Sequence, residues 1–262
     1  MNDSSRLALA REAANTGGAI ATEGFRGELT VDSKAQALDS VTEFDREVQR
    51  QIAQLLREED PDAAIVGEED LPEVETRSAV PETGAAWIVD PIDGTNNFVA
   101  GNRNWGVAVA AVEDGESVAA VNEFPALGDT YAAGVGATRN GEPCTVSDRT
   151  AAETFTIDPV FGLSAHHRRK LSEYVDVIAE EFGDSRRFGC SQFALSSVAA
   201  GELEAVVSGV RLAPWDTVGG VHLIREAGGT VTDLDGNRWT PASDGIIASN
   251  GEAHDDLVAA FD

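Results

Sequence analysis

Three acidic positions follow apolar runs in this chain, and their chemistry is the first thing the sequence offers. Glu68, Glu69 and Asp70 follow "AAIV", Asp90 and Asp93 follow "WIV", and Asp216 stands between "VRLAPW" and a helical stretch. In layered α/β folds, sites gather beyond the carboxyl ends of strands. The spacing therefore predicts that Glu68, Asp90, Asp93 and Asp216 converge. Two carboxylates about 5 Å apart repel by roughly 3 kcal/mol at an effective dielectric of 20, so four ionised acids in one pocket need cations. No His or Cys stands beside them. Hard oxygen donors alone select Mg²⁺ or Mn²⁺ over zinc. Four acids are enough for two such ions, a common device for in-line phosphoryl displacement.

The stretch "WIVDPIDGTNNF" also carries the anion side of that chemistry. Pro91 stops the strand from pairing further, and Gly94 permits close backbone approach. "DGTNNF" reads as a loop entering a short helix, whose free N–H groups suit a phosphate. Each segment has a bland alternative. An isolated Asp-Gly is a turn, "GEED" is a solvated strand exit, and Asp216 is a helix cap. The conjunction of the three favours the chemical reading.

The elements that must position these groups are legible from periodicity. A helix is predicted over residues 5–22, weakened by Gly17, Gly18 and Gly24. In "DSVTEFDREVQRQIAQLLREE", Val41, Phe44, Val48, Ile52, Leu55 and Leu56 recur at helical spacing, with a cap between Asp39 and Thr42. "AAIVGEED" and "AAWIVDPIDG" read as strands ending in acids. "NWGVAVAAVEDGESVAAVNEF" reads as a hairpin turning at Glu113-Asp114-Gly115. "SQFALSSVAAGELEAVVSG" reads as helix, turn and strand, "VGGVHLIREAGG" as a helix closed by glycines, and "GIIASN" and "AHDDLVAAF" as a last strand and helix. The turn-rich segment 136–150 marks a boundary between an N-terminal subdomain, 1–140, with most of the acids, and a C-terminal one, 141–262, with Asp216. Mixed helices and strands define an α+β (mixed α/β) layered sandwich.

Composition narrows the setting. The chain has 262 residues, enough for one large unit with a sizeable core. It has no apolar run long enough for a membrane span, and its N-terminus does not read as a signal peptide. Cys144 and Cys190 lack metal-ligand spacing and read as reduced thiols of a cytoplasmic protein. Acids outnumber Lys and Arg by 46 to 19, a net charge of −27. Such a surface repels nucleic acid. Only Lys34 and Lys170 are lysines. Self-repulsion of this size is largely screened at roughly 1 M salt, where the Debye length is about 3 Å, so the composition points to a protein adapted to molar salt.

At these acids the chain resembles the inositol monophosphatase family of magnesium-dependent, lithium-sensitive phosphatases. "GEED", "WIVDPIDGTNNF" and "WDTVGG" stand in the order of that family's three motifs, with echoes in "SVTEFD", "RNGEP", "REAGGTVTDLDG" and "IIASN". The resemblance implies an α/β/α/β/α sandwich, a homodimer, and two or three Mg²⁺ ions. It implies Glu68, Asp90, Asp93 and Asp216 as side-chain metal ligands and Ile92 as a backbone ligand. Asp93, Gly94 and Thr95 would hold the phosphate, while Asp45, Thr95 and Glu68 would orient the attacking water. Lys34 would lie in a metal-binding loop. The expected reaction is hydrolysis of a small sugar or polyol phosphate, fructose 1,6-bisphosphate or myo-inositol 1-phosphate. 3′-Phosphoadenosine 5′-phosphate or NADP is the alternative, and a non-catalytic metal-binding homologue a further one. No "GxxxxGK" loop of a kinase is present. Two departures stand out. Val218 and Gly219 stand where the third motif usually carries small residues, which bears on helix packing there, and Gly209 stands where inositol-specific members carry a glutamate. Arg211 is a candidate contact for a second phosphate.

Overall fold

A computed structural model describes residues 1–33, 40–71 and 79–261. Lys34 lies outside the described residues. The elements run α1 (Asp3–Gly24), β1 (Val31–Ser33), β2 (Ser40–Thr42), α2 (Glu43–Glu59), β3 (Ala64–Gly67), β4 (Ala85–Asp93), α3 (Thr95–Val99), β5 (Gly106–Glu113), β6 (Glu116–Phe124), β7 (Asp129–Gly134), β8 (Gly136–Arg139) and β9 (Glu142–Pro143). They continue with β10 (Thr156–Pro159), α4 (Ala165–Glu181), β11 (Asp184–Ser185), α5 (Ser191–Ala199), β12 (Ala205–Ser208), α6 (Val218–Glu226), β13 (Thr230–Thr232), β14 (Ile246–Ser249) and α7 (His254–Phe261). One sheet has strand order β3-β4-β5-β6-β7-β8-β9, a second β11-β10-β12-β14-β13, and β1 and β2 form a small separate pair.

Strand alternation builds the layers. In β4, Trp87 and Val89 face one way, against Leu9 and Ala13 of α1 and Val48 and Ile52 of α2. Ala86 and Ile88 face the other way, into a core with Leu195 and Val198 of α5, Val221 and Ile224 of α6, and Val206 and Ala248 of the second sheet. The remaining face of that sheet, Ile157, Val207 and Ile247, is covered by Tyr174 and Ile178 of α4 and Phe261 of α7. Helices thus alternate with sheets in five layers, the α/β/α/β/α sandwich. Side chains that alternate across a strand bury both faces only when helices cover both.

The glycines that weakened the first helix have a packing reason. A Cβ on Gly17 would come within 2.8 Å of Ile52, and one on Gly18 within 2.8 Å of Glu123 Oε1. α1 therefore lies closer to α2 and the sheet than any side chain would allow, and propensity yields to packing. The hairpin turns where the sequence places it, with Asp114 and Gly115 both at positive φ (49° and 81°).

Glu123 is the exception in this apolar layer. Its Oε2 is buried without a hydrogen-bond partner among the described residues, and burial pushes its pKa from 4.5 to about 7. An acid raised on folding contributes least above its folded pKa, so stability falls as pH rises between these two values. Glu123→Gln is expected to raise the melting temperature at pH 8 by about 3 °C, a gain of about 1 kcal/mol after allowance for its partial exposure. Near pH 4.5 it should change little. Thermal melts at the two pH values check this; an equal shift at both would assign the effect to packing.

Candidate active site

β3 and β4 run parallel with Gly67 opposite Val89, which sets Glu68 beside Asp90 at the strand ends. The pairing of β4 with β5 shifts between Asp90 and Asp93. This irregularity, at Pro91 and Ile92, lets both acids turn to the same side. One oxygen from each of Asp90, Asp93 and Asp216 lies within 4.8 Å of the others. Glu68 lines the same cleft as Asp93 and Asp216 and adds its negative charge to the field on Asp90 and Asp216.

Burial holds the Asp90 carboxyl well above the ordinary carboxylate range, and the charges of Glu68, Asp93 and Asp216 push it the same way. Asp216 is raised by burial, then by Asp93 and Glu68. Asp90 is 1% exposed, and its Oδ1 has no hydrogen-bond partner among the described residues. An orphaned carboxylate oxygen in such a cluster is costly by itself. The donor set fits a hard divalent cation, which would satisfy that oxygen and reverse each repulsion.

Asp93 is held differently, by the start of α5. Gln192 N–H donates to its Oδ2 at 2.5 Å and Cys190 Sγ–H at 3.1 Å, while Ser191 N–H donates to its Oδ1 at 3.3 Å. Ser191 Oγ lies 3.5 Å from Asp93 Oδ1 and 3.4 Å from Asp216 Oδ1, one hydroxyl between two acids. Burial still raises Asp93, and these hydrogen bonds partly offset it. The Gln192 side chain donates to Trp215 O at 2.6 Å and accepts from Gly220 N–H and Asn122 Nδ2, both at 2.8 Å. Gln192 therefore ties the segment carrying Asp216 to the carboxylate of Asp93.

α2 contributes the remaining groups. Asp45 is fully buried. Its Oδ2 accepts from Thr42 N–H at 2.7 Å and Thr42 Oγ1 at 2.6 Å, completing a capping box. Its Oδ1 lies 3.0 Å from Thr95 Oγ1, which is also 3.0 Å from Ile92 O. Burial raises the Asp45 pKa against the pull of the Thr42 hydrogen bonds. One turn later, Gln49 clamps the backbone beyond Glu68, donating to Glu69 O at 2.6 Å and accepting from Glu69 N–H at 2.8 Å. Gly94 adopts φ 84° and precedes α3, whose first turn has no side-chain cap. A Cβ there would come within 2.9 Å of Asn104 O, so only glycine fits the turn.

Arg211 is not among the cleft-lining residues. Its guanidinium is exposed and pairs with Asp244 at 2.6 Å. At Gly209, a Cβ would meet the Tyr174 hydroxyl at 2.3 Å, so packing leaves no room for a glutamate. Gln49, Cys190, Ser191 and Gln192 carried no sequence signal of a role. Their contacts arise from main-chain geometry and from helix ends far away in the chain.

The layered fold and the acidic cleft define a class, and comparison with known proteins places the chain within it. The profile of the inositol monophosphatase family matches residues 2–262. A fructose-1,6-bisphosphatase/inositol-1-monophosphatase of Thermotoga maritima is 35% identical over 230 residues, covering 87% of this chain and 84% of the relative. A histidinol-phosphatase of Chlorobaculum parvum is 34% identical over 260 residues, 97% of this chain and 96% of the relative. The solved structure of a Thermotoga maritima IMPase superposes with a TM-score of 0.86 at 32% identity, covering 98% of this chain and 96% of that one. The chain belongs to the inositol monophosphatase family.

Proposed function

We propose that the chain is a Mg²⁺-dependent phosphomonoesterase acting on a small phosphorylated sugar or polyol, with fructose 1,6-bisphosphate and myo-inositol 1-phosphate the first candidates. The observation that carries this reading is the convergence of Asp90, Asp93 and Asp216 within 4.8 Å of one another, in a cleft also lined by Glu68, Gly94 and Thr95. Family relatives named for both activities support it. The cleft volume of about 290 Å³ is at the small end for ligand sites and favours a compact ester over a nucleotide.

In this reading Glu68, Asp90, Asp93, Asp216 and the Ile92 carbonyl hold two or three Mg²⁺ ions, with Mn²⁺ as a substitute. Bound Mg²⁺ supplies positive charge that polarises the phosphoryl group and lowers the pKa of water. The chain's own groups do the positioning. Backbone N–H groups of Gly94 and Thr95 donate to phosphate oxygens. Thr95 Oγ1–H donates a hydrogen bond to Asp45, which leaves the hydroxyl's lone pairs to accept from the attacking water and aim it. Glu68 orients the same water from the adjacent end of β3. Gln49 and Gln192 fix the segments that carry Glu68 and Asp216, so the acids need not reorganise during turnover. The ester oxygen leaves with a proton from solvent. A phosphate-release screen over sugar, polyol and nucleotide monoesters, with and without Mg²⁺, tests the assignment; no Mg²⁺-dependent release from any ester would end it.

The same reading includes a homodimer and a cytoplasmic setting on family resemblance and composition. Among the described residues no helix is long and apolar enough to cross a membrane. We infer adaptation to molar salt from the net charge of −27. The melting temperature is expected to fall by more than about 10 °C on dialysis from 2 M to 50 mM KCl, as about 2 Å of screening length becomes more than about 10 Å. Equal melting temperatures in the two buffers would remove the inference.

A further inference from the structure

β6 carries an amide within an apolar layer. Ala120 and Phe124 pack in the core shared with α5 and α6. Asn122 lies between them on the same face and is fully buried. It shares a cross-strand row with one of the clustered acids, since Asp90 stands opposite Ala108 and Ala108 opposite Asn122. Both hydrogens of its amide are used. Asn122 Nδ2 donates to Gln192 Oε1 at 2.8 Å and to Ser196 Oγ at 3.0 Å. Its Oδ1 has no hydrogen-bond partner among the described residues. The glycines of α6 make room for the two amides. A Cβ on Gly219 would come within 2.8 Å of Asn122 Oδ1, and one on Gly220 within 3.0 Å of Gln192 Oε1.

A buried acceptor left unmet is destabilising, and a valine would suit this strand position without that penalty. Stability of the fold is therefore a poor reason for the amide. Its effect is to orient a second amide. Gln192 Oε1 accepts from Asn122 and from Gly220 N–H, which leaves Gln192 Nε2 facing Trp215 O at 2.6 Å. Two donors on one side of the Gln192 amide oppose its flipping, which would set oxygen against the Trp215 carbonyl. Trp215 directly precedes Asp216, and the backbone N–H of the same Gln192 donates to Asp93 Oδ2. A line of contacts thus runs from the middle of the sheet to two acids of the cluster.

We propose that Asn122, which is not among the described cleft-lining residues, is a positioning residue for the ion site. Acting through Gln192, it holds the segment of Asp216 against Asp93 at ion-binding separation before a cation arrives. This rests on the metal-binding reading above. Carboxylates within 4.8 Å of one another repel, and in the absence of a cation that repulsion pushes the Asp216 segment outward. The Gln192 tie opposes the push, and Asn122 keeps the tie oriented. Apparent affinity for the ion then scales with the fraction of molecules whose acids are already in place.

The test is Asn122→Val. Isothermal calorimetry with Mg²⁺ should give a Kd about five- to tenfold above the wild type, as when the competent arrangement falls to about a tenth to a fifth of the ensemble. In EDTA the variant should melt within about 2 °C of the wild type, or above it. The unmet Oδ1 is gone, Gln192 Oε1 keeps Gly220 N–H, and the Ser196 hydroxyl can turn to the carbonyl one turn back. At saturating Mg²⁺, kcat for any hydrolysed ester should stay within about threefold, because the bound ion restores the arrangement. A double-mutant cycle with Gln192→Met identifies the route: in that background Asn122→Val should add no further loss of Mg²⁺ affinity. An unchanged Kd in the single variant would overturn the proposal, as would losses that add in the double variant. A melting temperature in EDTA more than about 5 °C below the wild type would assign Asn122 to holding the core together and overturn it too. A wild type that binds no Mg²⁺ would bring down the metal-binding reading and this inference with it, a result distinct from a wild type and variant that bind equally well.

Discussion

Asp93→Asn lowers kcat/KM for any hydrolysed ester by about a thousandfold, corresponding to roughly 4 kcal/mol of lost transition-state charge stabilisation. Asp93 is the most constrained of the clustered acids, with both of its oxygens engaged by the start of α5. An asparagine keeps one oxygen toward Gln192 N–H, the shortest of these contacts at 2.5 Å. Its amide then faces Ser191 N–H, donor against donor, where the native contact is long at 3.3 Å. The fold therefore survives the change while the charge that attracts the cation is gone. The matched measurements are steady-state kinetics and a Mg²⁺ titration followed by thermal shift. Turnover at the wild-type rate would show that Asp93 has no part in the reaction.

Asp90→Asn has the opposite signature on stability. In chelator, the variant is expected to melt about 4–8 °C above the wild type, a gain of about 2 kcal/mol for a chain of this length. The cause is the orphaned Oδ1 of a side chain 1% exposed, whose charged form is opposed by burial and by Glu68, Asp93 and Asp216. A neutral amide of the same shape removes the like-charge term and offers hydrogens to the neighbouring acids. Mg²⁺ should then reverse the order. The wild type gains stability because the ion binds only the folded state, and the variant gains little. Differential scanning fluorimetry of both proteins with EDTA and with saturating Mg²⁺ decides it. A variant less stable in EDTA, or equally stabilised by Mg²⁺, would remove Asp90 from the ion site.

Much of this was legible in the sequence because the signals were local. Apolar runs ending in acids gave β3 and β4, helical spacing from Val41 to Leu56 gave α2, and the turn residues Asp114 and Gly115 gave the β5–β6 hairpin. The convergence of Asp90, Asp93 and Asp216 followed from the rule about strand ends and from electrostatic cost, although Asp216 lies far along the chain from the other two. Three things were hidden because their causes are not local. Gly17 and Gly18 weaken α1 by propensity and are required by its approach to α2 and β6. The hold of Cys190, Ser191 and Gln192 on Asp93 uses backbone N–H groups, which no residue type announces. Arg187 and Arg211 look alike in the sequence, and only packing separates a cleft-lining arginine from one paired at the surface with Asp244.

Asp45 closes the capping box of α2 with one oxygen and meets Thr95 with the other. In the proposed reaction, the brace that starts a helix and the group that aims the solvent molecule would thus be a single side chain. Inheritance tests this position twice, once as the polypeptide folds and again at each turnover. A replacement that mends one task spoils the other. Remodelling this enzyme toward new nucleophiles would have to begin by giving the helix a different way to start.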